Sequence, residues 1–370
     1  MRTKGVTMQD VAKAAGVSQS TVSMILNQKS SSFPTTTIEK VLAAATALNY
    51  QFRRTAPPPS NSTVLVIAVQ TTNPYYSAMI QGIDRAAITQ SISIITACSY
   101  HNPALESAYL QMALEHHYLG VIFLYPPDND AAYANANTRI PIVTICDRSS
   151  HVTGDIVELN NFEAGVLAAR LLCRFDNLAS ALAVVRFQDN EDDASTTSRA
   201  TRVAGVLSEV RKVLSEDHLL ILSGNSGSTE MLQEKSSHYQ MGHTLAQNKK
   251  IFQRNITGLI CVNDLVAYGA MDALISRGYR IPEDFSVIGS VNLLFSSMPH
   301  VSLTTIEHHP YIVAQSALTT LLNRTHMSVT NQSASSTARF QVQCQPNLII
   351  RHSTGPARTG MLPGMPGPRF

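Results

Sequence analysis

Apolar residues return at helical spacing three times within the first fifty positions. Val11, Ala12 and Ala15 mark one short stripe, Val22, Ile25 and Leu26 a second, and Ile38, Val41, Leu42, Ala45 and Leu48 a third. This is the recurrence of amphipathic helices packed face to face. The residues between the stripes supply the stops and starts. Thr7 with Asp10 three positions on predicts a capping box, hydroxyl and carboxylate each satisfying a free backbone N–H. Gly16 predicts the first stop, since glycine enters the left-handed conformation without penalty. Ser18 predicts the cap of the second helix, and Thr36 with Glu39 that of the third. The outward face of the second helix carries Gln19, Ser20, Ser23 and Met24, uncharged side chains that let a helix come close to a surface. Helix, glycine turn, helix is the plan that lays its second helix in a DNA major groove.

From Val64 the pattern changes to short apolar runs alternating with longer amphipathic ones. Strands are predicted at 64–69, 92–97, 120–124 and 142–146, with helices at 76–89, 104–117 and 129–137 between them. A second series follows: helix 163–173, strand 181–185, helix 198–214, strand 219–222, a helix ending near 252, strand 258–262, helix 265–277 and strand 286–288. Such alternation predicts parallel sheets with right-handed crossovers. Two doubly wound halves of similar size imply a cleft at the carboxyl ends of their strands.

The predicted organisation is an all-α helix-turn-helix headpiece at 1–50, a Pro-rich linker at 51–63 and an α/β core at 64–354. Within the core, one subdomain is expected to combine 64–159 with 296–324, and the other 160–292 with 336–354. A polar insert spans Met327–Thr337, and a Gly/Pro-rich tail at 355–370 is expected to be disordered. The tail shows no heptad pattern for a coiled-coil segment. Pro57, Pro58 and Pro59 oppose a helix in the linker and favour polyproline II.

Charge is unevenly spread. The chain carries a formal +2, but residues 1–54 hold seven basic and two acidic side chains. A basic end on a mildly acidic body suits attraction to phosphate at one end. There is no run of about eighteen apolar residues to span a membrane. MRTKGVTMQD has no apolar signal region, so a cytoplasmic protein is expected, at the nucleoid when bound to DNA. Cys98, Cys146, Cys173, Cys261 and Cys344 lack metal-ligand spacing, and most are expected to be buried thiols.

The run Asp10-Val11-Ala12 through Ala15-Gly16-Val17-Ser18, then Ser20-Thr21-Val22-Ser23 and Leu26-Asn27, closely resembles the DNA-binding headpiece of the lactose-repressor (LacI/GalR) family. The resemblance continues through Asn73-Pro74-Tyr75-Tyr76, Asn160-Asn161, Arg202 with Gly205, Asn263-Asp264, Val287-Ile288-Gly289 and Leu303–Ile306, covering about 6–354. It implies a periplasmic-binding-protein-like core and a transcription regulator, in most cases a repressor. Such a regulator binds a near-palindromic operator in double-stranded DNA as a homodimer and responds to a small-molecule effector. The implied DNA contacts are Thr7, Ser18, Gln19, Ser20, Thr21, Met24 and Asn27. The implied effector contacts are Tyr75, Tyr76, Asp147, Asn160, Arg202 and Asn263.

Three departures stand out. Met24 occupies a position usually held by Arg. The three prolines replace a hinge helix that forms on DNA. Val291 and Asn160 stand where the family commonly has Asp, which makes a neutral sugar a poorer fit and an anionic or phosphorylated effector a better one. Asp264 is expected to cap the helix that follows it.

No catalytic constellation is found: no dinucleotide fingerprint, phosphate loop or nucleophile elbow. Gly224–Ser228 lacks the lysine of a phosphate loop, the run 189–193 suits a solvated loop, and the pairs His116-His117 and His308-His309 point apart on a helix. No enzyme activity, metal or cofactor is therefore expected. The alternatives to an effector-modulated regulator are a family member with degraded or effector-independent DNA binding, and a cytosolic solute-binding protein.

Overall fold

In the computed structural model the described residues are 7–26, 33–48, 62–145, 152, 154–174, 182–187, 198–224, 237–330 and 339–356. The chain divides into two compact units, 1–63 and 64–370. The linker prolines, the run 189–193, most of Gly224–Ser228 and the tail beyond 356 lie outside the described residues.

The first unit holds α1 (Met8–Ala15), α2 (Gln19–Leu26) and α3 (Thr35–Ala47). Its core is Val11, Ala12, Val22, Ile25, Val41 and Ala45, closed by Met8, Val17, Phe33, Ile38 and Leu48. Two expectations need correction. α3 begins at Thr35 after Pro34 and has no side-chain cap, so Thr36 lies inside the helix. Proline's fixed φ and missing N–H make the start there instead. Leu42 is 49% exposed, so the stripe is narrower than its spacing suggests.

The second unit is built on two six-stranded sheets. The first runs in the order β11 (Gln341–Cys344), β5 (Asp155–Leu159), β4 (Ile142–Ile145), β3 (Gly120–Phe123), β1 (Thr63–Ala68), β2 (Ser93–Cys98). The second runs β12 (Asn347–Ile349), β10 (Thr304–Glu307), β9 (Ser286–Val291), β8 (Gly258–Cys261), β6 (Leu182–Phe187), β7 (Leu219–Gly224). The pairs β1/β3, β3/β4, β4/β5 and β5/β11 are parallel, as are β7/β6, β6/β8, β8/β9 and β9/β10. β12 returns antiparallel to β10. Helices α4 (Pro74–Thr89), α5 (Pro103–Glu115) and α6 (Asp130–Asn137) belong to the first lobe. The second contains α7 (Asn161–Arg174), α8 (Ser198–Val210), α9 (Ser237–Ala246), α10 (Lys249–Gln253) and α11 (Asp264–Ile275). No helix among the described residues is long and apolar enough to cross a membrane.

The lobes exchange segments differently from the expected partition. β10 pairs with β9, so 304–307 belongs to the second lobe. The chain then crosses at His308-His309 into α12 (Pro310–Thr330), which packs on α4 and the first sheet. β11 completes the first sheet, and the chain crosses again at Gln345-Pro346. Four-residue strands carry too little pattern to indicate which sheet they join; pairing far along the chain decides it. α12 also runs through Met327–Thr330, the first part of the expected insert.

β5 was not expected as a strand, because Asp155 and Glu158 interrupt its apolar run. Both are buried. Asp155 accepts from Arg324 Nε at 2.8 Å, Arg324 Nη2 at 2.5 Å and the Phe340 N–H at 2.8 Å. Glu158 Oε1 accepts from the side-chain amides of Gln341 and Gln343 at 2.8 and 3.0 Å. The charges therefore tie β5 to α12 and β11, and the guanidinium of Arg324 also lies 4.8 Å from the Phe340 ring centroid. Arg324→Ala is expected to lower core stability by about 3–5 kcal/mol, because it strands a buried carboxylate. Urea unfolding should show this, with part recovered when Asp155→Ala is added.

Of the described cysteines only Cys261 is buried; Cys98, Cys173 and Cys344 are partly exposed, and Cys146 lies outside the described residues.

Candidate DNA-binding face and ligand cleft

In the first unit the turn is formed as its residues dictate. The Thr7 N–H and hydroxyl both donate to Asp10 Oδ2, at 2.7 and 2.6 Å, and Asp10 N–H returns to Thr7 Oγ1 at 3.4 Å. Gly16 closes α1 at φ +67°, and the Val17 N–H reaches the Ala12 carbonyl. Ser18 Oγ accepts the Thr21 N–H at 3.1 Å and lies 2.7 and 2.8 Å from the hydroxyls of Ser20 and Thr21. Gln19, Ser20 and Met24 are exposed while Val22 and Ile25 are buried. Thr7 is occupied by its capping box, and Asn27 lies outside the described residues. The exposed row leads with the N-terminus of α2, the end that carries the free N–H groups and the positive end of the helix dipole.

In the second unit the helices that follow parallel strands bring their N-termini together between the lobes. Asn73 caps α4 through the Tyr75 N–H at 3.0 Å, setting Tyr75 and Tyr76 at its first turn. Their ring centroids are 6.2 Å apart, and Tyr75 meets His308 edge-on at 5.9 Å. Burial pushes the Tyr76 phenol up; Arg199 opposes this and Asp128 adds to it, so charges of both lobes act on one ring.

Arg202 lies on α8. Its Nε and Nη2 donate to Asn161 Oδ1 at 3.1 and 2.5 Å, and Nη1 donates to the Val262 carbonyl at 2.5 Å. These neutral acceptors fix the plane of the guanidinium. Asn263 caps α11 through the Val266 N–H at 2.9 Å and turns its amide nitrogen toward His238 Nδ1 at 3.2 Å. Burial, then Arg199, push His238 down to about 4, so it is neutral at physiological pH. His308 is 2% exposed and lies 2.8 Å from Ser290 Oγ through Nε2. Burial foremost, then Arg202 and His309, hold it well below its ordinary value.

Asn160 sits at the crossing between lobes, between β5 and α7. Its Oδ1 accepts the Glu163 N–H at 3.1 Å, its Nδ2 donates to Gln345 at 3.1 Å and its own N–H donates to the Cys344 carbonyl. Its neighbour Asn161 is the residue that orients Arg202. Asp147 lies outside the described residues.

The cap of α11 is Asn263, not Asp264 as expected. Asp264 is buried and instead accepts from the Leu293 N–H at 2.6 Å, Ser296 Oγ at 2.9 Å and Thr305 Oγ1 at 2.5 Å, fixing the loop after β9. That loop begins with Val291 and Asn292 at φ +117° and +58°. Asn292 is clasped by Glu307 at 2.5 Å and by Arg351 at 2.8 Å. A β-branched residue at such a φ is strained.

Arg199, His238, His308, Ser290 and Asn161 were not singled out as site residues in the sequence. Arg199 could have been, since it lies three positions before Arg202 on the same helical face. The histidines could not, because only tertiary packing brings them to the cleft.

Residues 7–51 match the family of bacterial regulatory proteins described as the lacI family, and residues 179–354 match the periplasmic binding protein-like domain. The HTH-type transcriptional repressor PurR of Mannheimia succiniciproducens is 27% identical over 352 residues, covering 94% of this chain and 98% of the relative. The HTH-type transcriptional regulator DegA of Bacillus subtilis is 26% identical over 365 residues, covering 95% and 99%. Among solved structures, the Lac repressor bound to ONPG superposes with a TM-score of 0.67 at 22% identity, covering 95% of this chain and all of that one. With a helix-turn-helix at one end and a two-lobed ligand-binding fold after it, the chain belongs to the LacI family of bacterial regulatory proteins and is a DNA-binding transcription regulator.

Proposed function

We propose that the protein represses transcription by binding a near-palindromic operator as a homodimer, and that a small effector in the core's cleft modulates that binding. The observation that carries this reading is the exposed row Gln19, Ser20 and Met24 on α2, held by the Ser18 cap above a closed three-helix core. Gln19 and Ser20 read base edges, and Met24 supplies an apolar contact such as a thymine methyl accepts. Ser18, Thr21 and Asn27, with Thr7 at the start of α1, position the headpiece on phosphates. Two-fold pairing follows from half-sites spaced by helical turns. In the cleft, Tyr75, Tyr76, Asp147, Asn160, Arg202 and Asn263 face the effector. The relatives named repressors support the sign of regulation. The protein works in the cytoplasm, at the nucleoid when DNA-bound, and has no catalytic role in this reading.

The test is fluorescence anisotropy of the full chain on DNA from upstream of its own gene. Affinity is expected to fall on the order of 10³-fold between about 50 and 200 mM salt as counterions are released. Gln19→Ala is expected to lower specificity about 10-fold, as loss of one bidentate base contact does. Salt-independent binding, or none that Met24→Arg restores, would overturn the reading.

A further inference from the structure

We propose that the core is itself a DNA contact: the end of its first lobe at which the parallel strands begin holds backbone phosphates of the duplex bound by the headpiece, through Arg139 and Arg339. This surface is separate from α2 and from the cleft.

The pairs β1/β3, β3/β4, β4/β5 and β5/β11 are parallel, so all five strands begin at one end of the lobe. The chain enters the core at that end, since Thr63 is the first residue of β1. Helices between parallel strands run back to where the next strand begins, so α4, α5 and α6 finish there. Arg139 follows α6 and is exposed, and no group among the described residues pairs with its guanidinium. Arg339 precedes β11 and is also exposed. Its Nε is fixed on the Gly154 carbonyl at 2.7 Å, which leaves its two terminal nitrogens without a partner among the described residues. Gly154 joins the two arginines: a Cβ on it would meet the Ile142 carbonyl and the side chain of Asn137, two positions before Arg139. His116 and His117 after α5, with Gln90 and Ser91 after α4, are exposed and add N–H and O–H donors.

The described carboxylates at this end do little to repel a phosphate. Asp155 is buried and closed by Arg324 and the Phe340 N–H. Glu115 is exposed and takes the Gln111 amide at 2.8 Å. Asp84, earlier on α4, lines a groove with Ile94 and Thr96 of β2. Two arginines would not hold a duplex by themselves, and tethering changes their weight. The chain between Leu48 and Thr63 reaches at most about 50 Å when fully extended. Once the headpiece is on DNA, the phosphates therefore stand at an effective concentration in roughly the millimolar range. A contact too weak to act alone then adds directly to affinity. Phosphates carry no sequence information, so it adds equally on every duplex.

The test is a salt titration of full-chain binding to DNA from upstream of its own gene and to a scrambled duplex of equal length. Arg139→Gln with Arg339→Gln is expected to weaken both about 10-fold and to lower the slope of log affinity against log salt by about 2, one for each phosphate released. The affinity ratio between the duplexes is expected to stay as in the parent. Arg139→Gln alone breaks no side-chain hydrogen bond among the described residues and is expected to give about half the slope change. Its slope decides the matter if losing Arg339 lowers the thermal unfolding temperature. Lys249→Gln with Lys250→Gln removes the same charge from exposed positions on α10 in the second lobe and is expected to leave the slope unchanged. Parent-like slopes in the arginine variants overturn the proposal. An equal fall in the lysine variant does so too, because net charge rather than a contact would then be responsible. A loss confined to the upstream duplex also overturns it, since a phosphate contact is blind to sequence. If the parent chain binds neither duplex, the headpiece contact falls with it.

Discussion

Gly205→Ala is expected to destabilise the core by about 3 kcal/mol or more, the upper range for adding a methyl group to a packed interior. α7 and α8 cross at Gly165 and Gly205. A Cβ at Gly205 would fall on the carbonyl oxygen of Phe162, and one at Gly165 on the carbonyl oxygen of Arg202. Both obstacles are backbone atoms, so no rotamer change relieves them and the helices must move apart. The second helix pair repeats the device, with Gly242 against the Val266 carbonyl and Gly269 against that of Tyr239. Gly278 is the control. It sits at φ +84° with nothing within 4 Å of its missing Cβ, so Gly278→Ala carries only the left-handed strain of about 1–2 kcal/mol. Urea unfolding of the two variants separates crowding from backbone strain. If Gly205→Ala loses no more than Gly278→Ala, the close crossing of α7 and α8 is not a source of stability. The crossing also sets the site, since Gly165 packs against the very residue whose guanidinium reaches Asn161 and Val262. Gly205→Ala should therefore weaken ligand binding by more than its effect on the folded fraction.

How far the sequence discloses all this depends on distance along the chain. The headpiece was legible almost to the residue, because the capping box at Thr7, the turn at Gly16 and the cap at Ser18 are interactions across three or four positions. The error at Thr36 is also local: Pro34 competes for the same helix start. Alternation disclosed most of the core, but not the strand at Asp155–Leu159, whose two carboxylates are explained only by Arg324, Gln341 and Gln343, more than 165 positions away. The assignment of 304–307 and 341–344 to their sheets failed for the same reason. Arg202 and Asn263 were named and stand at the two helices that present them, and Arg199 was legible from its spacing to Arg202 on α8, while His238 and His308 are brought beside them by packing that no spacing reveals. Asn263 takes the capping part expected of Asp264, which stays structural in another place. Either can cap a helix, and what separates them is that the loop after β9 and the strand β10 aim three donors at the second.

Removing the Asp264 side chain should cost as much as crowding a glycine crossing. Asp264→Ala would leave the Leu293 N–H without its acceptor and strip the Ser296 and Thr305 hydroxyls of theirs, in a place where water does not reach. At about 1–3 kcal/mol for each buried group left unsatisfied, a loss of about 3 kcal/mol or more is expected. Asp264→Asn should cost far less. Its amide oxygen can keep Leu293 and Ser296, and the Thr305 hydroxyl can rotate to accept from the amide nitrogen. The comparison has a pH signature. Burial pushes the Asp264 carboxyl above its ordinary value, against the opposing pull of Thr305, Leu293, Ser296 and Arg351. A raised folded value means the proton stabilises the fold. That contribution is complete below the unfolded-chain value and is lost as pH rises through the folded one. The parent chain should therefore gain stability relative to Asp264→Asn as pH falls from neutrality toward the ordinary carboxylate range. Thermal unfolding of both chains across that interval measures the difference. The opposite slope would mean that the three donors outweigh burial and hold Asp264 ionised. The loop bearing Val291 and Asn292 would then be fastened by charge rather than by neutral hydrogen bonds.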